Sequence, residues 1–321
     1  MGAVRPPNIE FRSIAALDRA LATNLGRFAP EIDLVVGIPR SGLLVANLFA
    51  LRRGVRMTDL DGLNEGRLLR SGARLGDPQA DVITSARRIL VLDDSVDTGR
   101  SLREAKDILR DHPARERMLF GAVFVSPSAR DKVDVYCEVI EPPRVFSWNL
   151  MSHGLIERAA FDIDGVLCVD PTSAQNDDGP RYRDFLTTAQ PLALPTRQVG
   201  ELVTSRLEKY RPETEAWLAA HGVEYGTLHM LDLPDAETRR RLNAHASFKA
   251  EIYGASESVL FVESEDHQAR AIATATNKPV ICTGSDEFYN EPTSAVQIRR
   301  QAGRMQRRVV RAAKARLRRL T

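Results

Sequence analysis

Residues Ile89-Leu90-Val91-Leu92 run directly into Asp93-Asp94. Four apolar residues in a row suit a short strand covered on both faces, the kind found in a parallel sheet flanked by helices. Two adjacent carboxylates cannot be left unpaired inside such a sheet. They therefore mark the strand's end, where the chain leaves the core. Ser95-Val96-Asp97-Thr98-Gly99 follow, mostly small, hydroxylic or acidic, and helical spacing resumes from Ser101. A strand, an acidic pair, a short polar loop and a helix form one βα unit.

The same alternation runs along the chain. The sequence predicts strands over 32–36, 88–92, 119–125 and 133–139, with helices over 43–52 and 101–109. Glu141-Pro142-Pro143 interrupts this pattern. A second series predicts strands over 159–163, 201–203, 227–231, 258–262 and 279–281, with helices over 212–221, 236–253 and 268–275. The polar stretch 172–180 reads as a loop. The fold class is α/β, as two Rossmann-like domains in tandem. The expected divisions are 1–150, 151–292 and a C-terminal segment 293–321.

Composition excludes several classes. With 43% hydrophobic and 27% charged residues over 321 positions, the chain can bury a core, so disorder is not its main state. The longest apolar run, 43–51, contains Asn47 and falls far short of the ~20 residues of a membrane span. The first residues lack a signal-peptide core, and Pro6 stands where a myristoylation signal has Ser or Thr. Cys137, Cys168 and Cys282 are widely spaced with no CxxC, which points to a reducing cytoplasm rather than a disulfide or zinc framework.

The 89–102 segment can cradle a phosphorylated sugar. Loop N–H groups and a helix N-terminus hold phosphate, and paired carboxylates accept hydrogen bonds from a diol. This segment resembles the 5-phosphoribosyl 1-diphosphate (PRPP) motif of the type I phosphoribosyltransferases. The resemblance implies ribose on Asp93 and Asp94 and the 5-phosphate on Ser95, Val96, Asp97, Thr98 and Gly99. Gly37-Ile38-Pro39-Arg40-Ser41-Gly42, after the first core strand, matches the family's diphosphate loop, with Gly37, Arg40, Ser41 and Gly42 as its binding residues. Segment 57–84, with Arg67, Arg70 and Arg74, stands where the family has a mobile catalytic loop. Asp97 is the candidate base that takes the acceptor's proton, with a loop-ordering role as its alternative. Segment 142–149 lacks the aromatic-plus-Val-Gly pattern of the purine-salvage branch, which counts against a purine acceptor.

Phe161-Asp162-Ile163-Asp164-Gly165-Val166-Leu167 resembles the DxDGxL motif of haloacid dehalogenase (HAD) superfamily phosphatases. Two carboxylates two residues apart can both face a phosphate beyond a strand end. The resemblance makes Asp162 the nucleophile and Asp164 the acid/base. In the family's order follow Thr204, with Ser205 beside it, as phosphoryl ligand, and Lys249 as the charge-neutralising lysine. Glu263 stands where the family has Asp. The implied metal set is Asp162, Asp164, Glu263 and Asp266, with Glu265 as the alternative last member. Both resemblances imply Mg²⁺. The interval between Asp164 and Thr204 leaves room for little or no cap.

Ten of the 45 Lys and Arg and none of the 43 Asp and Glu fall in 297–321, so the rest of the chain is net acidic. Ile298, Ala302, Met305, Val309, Ala312, Ala313, Leu317 and Leu320 form a thin stripe on a basic helix. Such a helix suits an anionic membrane surface; packing on the acidic body or a dimer partner is the competing reading, and nucleic acid is the least expected.

Together the two halves resemble bifunctional phosphoribosyltransferase–phosphatase proteins that supply ribofuranose to bacterial glycans. The expectation is transfer from PRPP to a hydroxyl of a glycan or lipid-linked glycan, giving a β-ribofuranoside, followed by removal of the 5-phosphate. That places the chain in the cytoplasm, peripheral at the inner membrane face. The alternatives are a nucleobase phosphoribosyltransferase joined to a nucleotidase, and a non-catalytic PRPP-sensing protein.

Overall fold

The computed structural model describes residues 8–70, 75–76, 82–242 and 244–290. The basic segment 293–321 and Arg74 lie outside them. The chain forms two compact units that divide between Trp148 and Asn149. Both are α/β with predominantly parallel sheets, as the alternation implies.

The first unit contains β1 (Glu10–Arg12), α1 (Ile14–Thr23), β2 (Ile32–Gly37), α2 (Ser41–Arg53), β3 (Arg56–Asp59), α3 (Leu60–Asn64) and α4 (Val82–Ser85). Then come β4 (Arg88–Val96), α5 (Arg100–Ile108), β5 (Met118–Val125), β6 (Val135–Val139) and β7 (Arg144–Phe146). The main sheet is parallel in the order β3-β2-β4-β5-β6. Strand β4 is central, and Ile89, Leu90, Val91 and Leu92 are fully buried. Leu90 and Leu92 face Phe49, Val45 and Leu17, while Ile89 and Val91 face Leu102, Leu63 and Phe120. Each such side chain contributes about 1.5–3 kcal/mol by leaving water. From β2 the chain steps outward to β3, then returns to β4 and runs the other way. The end of β2, opposite Leu92, therefore lies at the switch point where open α/β sheets bind ligands. Strand β4 continues past the expected end at Leu92, through Asp93 and Asp94 to Val96, paired with β5.

The described parts of segment 57–84, expected as a mobile catalytic loop or a plain surface loop, carry regular structure. The segment begins as part of edge strand β3, paired with β2, and continues into α3. Leu60 and Leu63, three apart, are both buried, and the Asp59 carboxylate caps α3 by accepting from Gly62 N at 2.6 Å. Polar composition hid this short element, because only two of its side chains, Leu60 and Leu63, are apolar and buried. Strand β1 has a similarly weak local signal. It pairs with β7, and Glu10 lies opposite Arg144.

The second unit contains β8 (Ala159–Phe161), α6 (Pro180–Thr188), β9 (Val199–Leu207), α7 (Arg211–Ala220), β10 (Tyr225–Leu231), α8 (Ala236–Leu242) and α9 (Ala244–Ala255). It ends with β11 (Leu260–Glu263), α10 (Asp266–Thr276), β12 (Val280–Cys282) and β13 (Glu287–Tyr289). Its sheet order is β10-β9-β8-β11-β12-β13, parallel except for β13. The switch point here lies around β8, with β9 and β11 on either side. Between Asp164 and Thr204 there is one helix, α6, packed through Tyr182 against Tyr210. Among the described residues, no helix is long and apolar enough to cross a membrane.

Candidate active site

In the first unit the β2–α2 loop and the β4–α5 loop are neighbours, since Gly37 pairs with Leu92 and Ile38 N donates to Leu92 O at 3.0 Å. Gly42 sits so close that an added Cβ would lie 2.7 Å from Leu92 O and 3.2 Å from Asp93 Oδ1. Ser41 Oγ donates to Asp94 Oδ1 at 2.7 Å. The two loops the sequence singled out are thus tied together through Asp94. Arg40 is exposed at the start of α2. Ser95, Val96, Asp97, Thr98 and Gly99 line a cleft of about 210 Å³ together with Asp93 and Arg144. Gly99 has φ +75°, a left-handed conformation that lets the loop turn into α5. Lys132 Nζ holds the loop from outside, donating to Thr98 O at 3.1 Å.

Asp93 and Asp94 are both buried. Burial, and then the charge of Asp94, holds the Asp93 carboxyl well above the usual range. Two residues that sequence reasoning did not assign complete this site. Arg144 is buried beside the cleft, its Nη1 without a partner. Burial pulls its guanidinium below the ordinary value, opposed by Asp97, Asp94 and Asp93. Trp148 Nε1 donates to Asp94 Oδ2 at 2.8 Å, and its ring stacks on Phe146 at 4.8 Å. Arg144 reaches the cleft from β7, which pairs with β1, and Trp148, two residues past β7, reaches Asp94; neither leaves a local motif. Only the aromatic alternation Phe146-Ser147-Trp148 offered a signal. Asp93, which lines the cleft, is a hard oxygen donor of the type Mg²⁺ takes. It would hold an ion only together with the diphosphate's own oxygens, since both oxygens of Asp94 are engaged by Ser41 and Trp148.

In the second unit Asp162 follows β8 directly, Thr204 lies in β9, Glu263 ends β11 and Lys249 projects from α9. All four are buried. Lys249 Nζ donates to Asp162 Oδ2 at 2.6 Å, to Glu263 Oε2 at 2.7 Å and to Gln268 Oε1 at 3.1 Å. Burial pushes Asp162 up to about 7, with Glu263 and Asp164 adding to the rise and Lys249 opposing it. Asp164 is gripped by Arg206, a fully buried guanidinium, at 2.6 Å from Nη2 and 3.2 Å from Nε. Arg206 adjoins Thr204-Ser205 in the same strand; the sequence reading stopped at the hydroxyls and missed it.

Asp162, Asp164, Thr204, Lys249, Glu263 and Gln268 share a cavity of about 410 Å³, which Asp170, Ser205, Arg239 and His245 also line. Glu265 lies at its edge. Asp266 is not in it: its carboxylate takes hydrogen bonds from Tyr289, Arg270 and Ser285 instead. Asp266 opens α10, and its position one residue past Glu265 turns it toward β13. Lys249 fills the space between Asp162 and Glu263, and Glu263 Oε1 accepts from Ser264 N and Glu265 N. Among the described residues no three His, Cys, Asp or Glu side chains are grouped closely enough to hold a metal ion. The expected set of Asp162, Asp164, Glu263 and Asp266 is thus not assembled around one point, and no catalytic step is assigned to a metal there.

A family profile for the phosphoribosyl transferase domain matches residues 9–151. The xanthine-guanine phosphoribosyltransferase of Cereibacter sphaeroides is 30% identical over 139 residues, which is 41% of this chain and 80% of that protein. Among solved structures, purine phosphoribosyltransferase from Pyrococcus horikoshii is 20% identical, with 44% of this chain and 93% of that chain covered and a TM-score of 0.32. The Helicobacter pylori xanthine-guanine-hypoxanthine phosphoribosyltransferase is 18% identical, covers 44% and 94%, and has a TM-score of 0.33. The chain belongs, through residues 9–151, to the type I phosphoribosyltransferase family.

Proposed function

We propose that the first unit transfers the 5-phosphoribosyl group of PRPP to a nucleobase, and that the second unit is a phosphomonoesterase acting on the 5-phosphate so transferred. The observation that carries the nucleobase is Trp148. Its half-buried indole, hydrogen-bonded to Asp94, lies beside the carboxylates assigned to the ribose. In this reading a planar acceptor stacks on that ring. The similarity to a xanthine-guanine enzyme supports the same acceptor. This departs from the expectation that segment 142–149, lacking the aromatic-plus-Val-Gly pattern, counts against a purine acceptor.

The chemistry follows from the substrate. The C1–O bond to diphosphate breaks, a C1–N bond to the base forms, and the base's proton passes to Asp97. Mg²⁺, held near Asp93, would neutralise the departing diphosphate. The protein's own part is positioning: Gly37–Gly42 loop backbone for the diphosphate, Asp93 and Asp94 for the diol, and the Ser95–Gly99 loop for the monoester phosphate. In the second unit the Asp162 carboxylate attacks phosphorus and the bond from phosphorus to the sugar's O5 breaks. Asp164 gives that oxygen a proton. Water, deprotonated by Asp164, then cleaves the aspartyl-phosphate. Lys249 holds Asp162 in line, and Arg206 fixes Asp164.

A second reading keeps both steps but makes the acceptor a glycan hydroxyl. It is favoured by the coexistence of the two sites, because a phosphatase would undo nucleotide formation but would complete a plain ribofuranoside. The test is incubation with PRPP and Mg²⁺ against xanthine, guanine and glycan acceptors, following diphosphate and phosphate release. Diphosphate release with a purine is expected; release only with a glycan would replace the first reading by the second. Asp162→Asn should accumulate the 5-phosphorylated product, and an unchanged product would remove the second step.

A further inference from the structure

Buried polar atoms without partners gather in the second unit's cavity. Arg239 is 6% exposed and donates Nη1 to Ser205 O at 2.8 Å, yet its Nε is unpaired. Ser205 is 8% exposed, and its Oγ is unpaired. Asn176 Oδ1, on the loop before α6, is buried and unpaired as well. All three residues line the 410 Å³ cavity that holds Asp162. Buried polar groups in folded proteins are normally satisfied, so three exceptions around one space call for a ligand that satisfies them.

The three atoms ask for different roles. Arg239 Nε can only donate, Asn176 Oδ1 can only accept, and the Ser205 hydroxyl can do either. A second phosphate or carboxylate would satisfy donors and leave Asn176 facing a like partner. An apolar group would leave all three unpaired. Vicinal hydroxyls donate and accept at once and match the whole set. We infer that the cavity beyond Asp162 is a sugar-hydroxyl subsite, in which Arg239, Ser205 and Asn176 hold the ring hydroxyls of a pentose 5-phosphate while its phosphate meets Asp162 and Lys249. This rests on reading the second unit as a phosphomonoesterase acting on the transferred 5-phosphate, and it assigns recognition of the sugar itself to named residues of that site. The cavity's size lies within the range of small-molecule sites, and its position makes the subsite contiguous with the phosphoryl site.

The test compares ribose 5-phosphate with phenyl phosphate, which has the same reacting group and no hydroxyls. Wild type should prefer the sugar phosphate in kcat/KM. In Arg239→Gln that preference should fall by roughly tenfold or more, chiefly through KM, because a site built to bond hydroxyls loses most when its partners are removed. Ser205→Ala should reduce it in the same sense and serves as the second variant if Arg239→Gln does not fold. An unchanged ratio in both variants would overturn the subsite. If wild type hydrolyses neither compound, the phosphomonoesterase reading fails, and calorimetry with the Asp162→Asn protein decides the subsite separately. Ribose 5-phosphate affinity that drops with Arg239→Gln, by more than that of inorganic phosphate, supports it; equal drops overturn it.

Discussion

Trp148 donates its indole N–H to Asp94 Oδ2 at 2.8 Å, while Ser41 donates to the other oxygen of the same carboxylate at 2.7 Å. Asp94 thus joins the β2–α2 loop to the end of β7. Trp148→Phe keeps the ring that stacks on Phe146 and removes the hydrogen bond. A bond to a charged acceptor contributes about 1.5–3 kcal/mol, so KM for PRPP should rise by about tenfold or more. Trp148 fluorescence offers a second measurement. The other tryptophan, Trp217, is buried in the second unit, so a signal on PRPP addition that survives Trp217→Phe and vanishes in Trp148→Phe reports this contact.

Gly42 is fixed by contact rather than by conformation. A methyl group there meets the Leu92 carbonyl at 2.7 Å and the Asp93 carboxylate at 3.2 Å. Neither can move without shifting β4. Gly42→Ala should therefore destabilise the first unit by about 1–3 kcal/mol and weaken PRPP binding more than Ser41→Ala does. Urea unfolding and PRPP titration measure the two effects. Normal PRPP affinity in Gly42→Ala would show that the two loops need not pack this closely.

Lys249 neutralises two buried carboxylates. Lys249→Met would leave Asp162 and Glu263 facing each other in a site that is 5% and 0% exposed. Breaking such a buried pair destabilises by about 3–5 kcal/mol. Adding Glu263→Gln to Lys249→Met should recover part of the loss, because it removes one of the stranded charges. Additive losses in that double variant, read by urea unfolding, would contradict the pairing.

Much of this architecture could be read from sequence because strand ends carry it. The runs Ile89–Leu92 and Ala159–Phe161 were legible as buried strands, and Asp162 follows the second directly. But β4 does not stop at Leu92: it continues through Asp93 and Asp94 to Val96, because Ser41 and Trp148 satisfy the buried Asp94 carboxylate. Lys249 was found by order along the chain rather than by contact, and its bridge between Asp162 and Glu263 depends on α9 packing beside β9 and β11. Arg144, Trp148 and Arg239 were not legible. Each is ordinary in its local segment and becomes a site residue only through long-range pairing, as between β1 and β7, or through a helix laid across a cavity. Asp266 failed for the opposite reason. One residue of helical rotation separates Glu265 at the cavity edge from Asp266 on Tyr289 and Arg270, and no spacing rule resolves that.

His245, half-buried on α9, is held at about 4 by burial and by the nearby charges of Arg239, Lys249 and His267. Its unfolded value lies near 6.5. Between pH 6.5 and 4 the unfolded chain thus binds more protons there than the native one, so stability falls as pH falls. The contribution is complete above 6.5 and is lost by about 4. His245→Gln should flatten the difference in urea midpoint between pH 7 and pH 5 relative to wild type. An identical slope in the two proteins would mean that His245 titrates alike in both states.

The pH dependence of phosphate release offers a signed test of the second unit. Asp162 must be ionised to attack phosphorus, and burial pushes it up to about 7. Activity should therefore fall below about pH 7 with a single acid limb. Glu263 contributes to that rise through its charge and also shares Lys249 with Asp162. Glu263→Gln removes the like charge and frees Lys249 to pair with Asp162 alone. Both effects favour the ionised nucleophile, so the acid limb of kcat/KM should move to lower pH even where the maximal rate drops. A limb that stays in place, or moves up, would mean that a group other than Asp162 sets it.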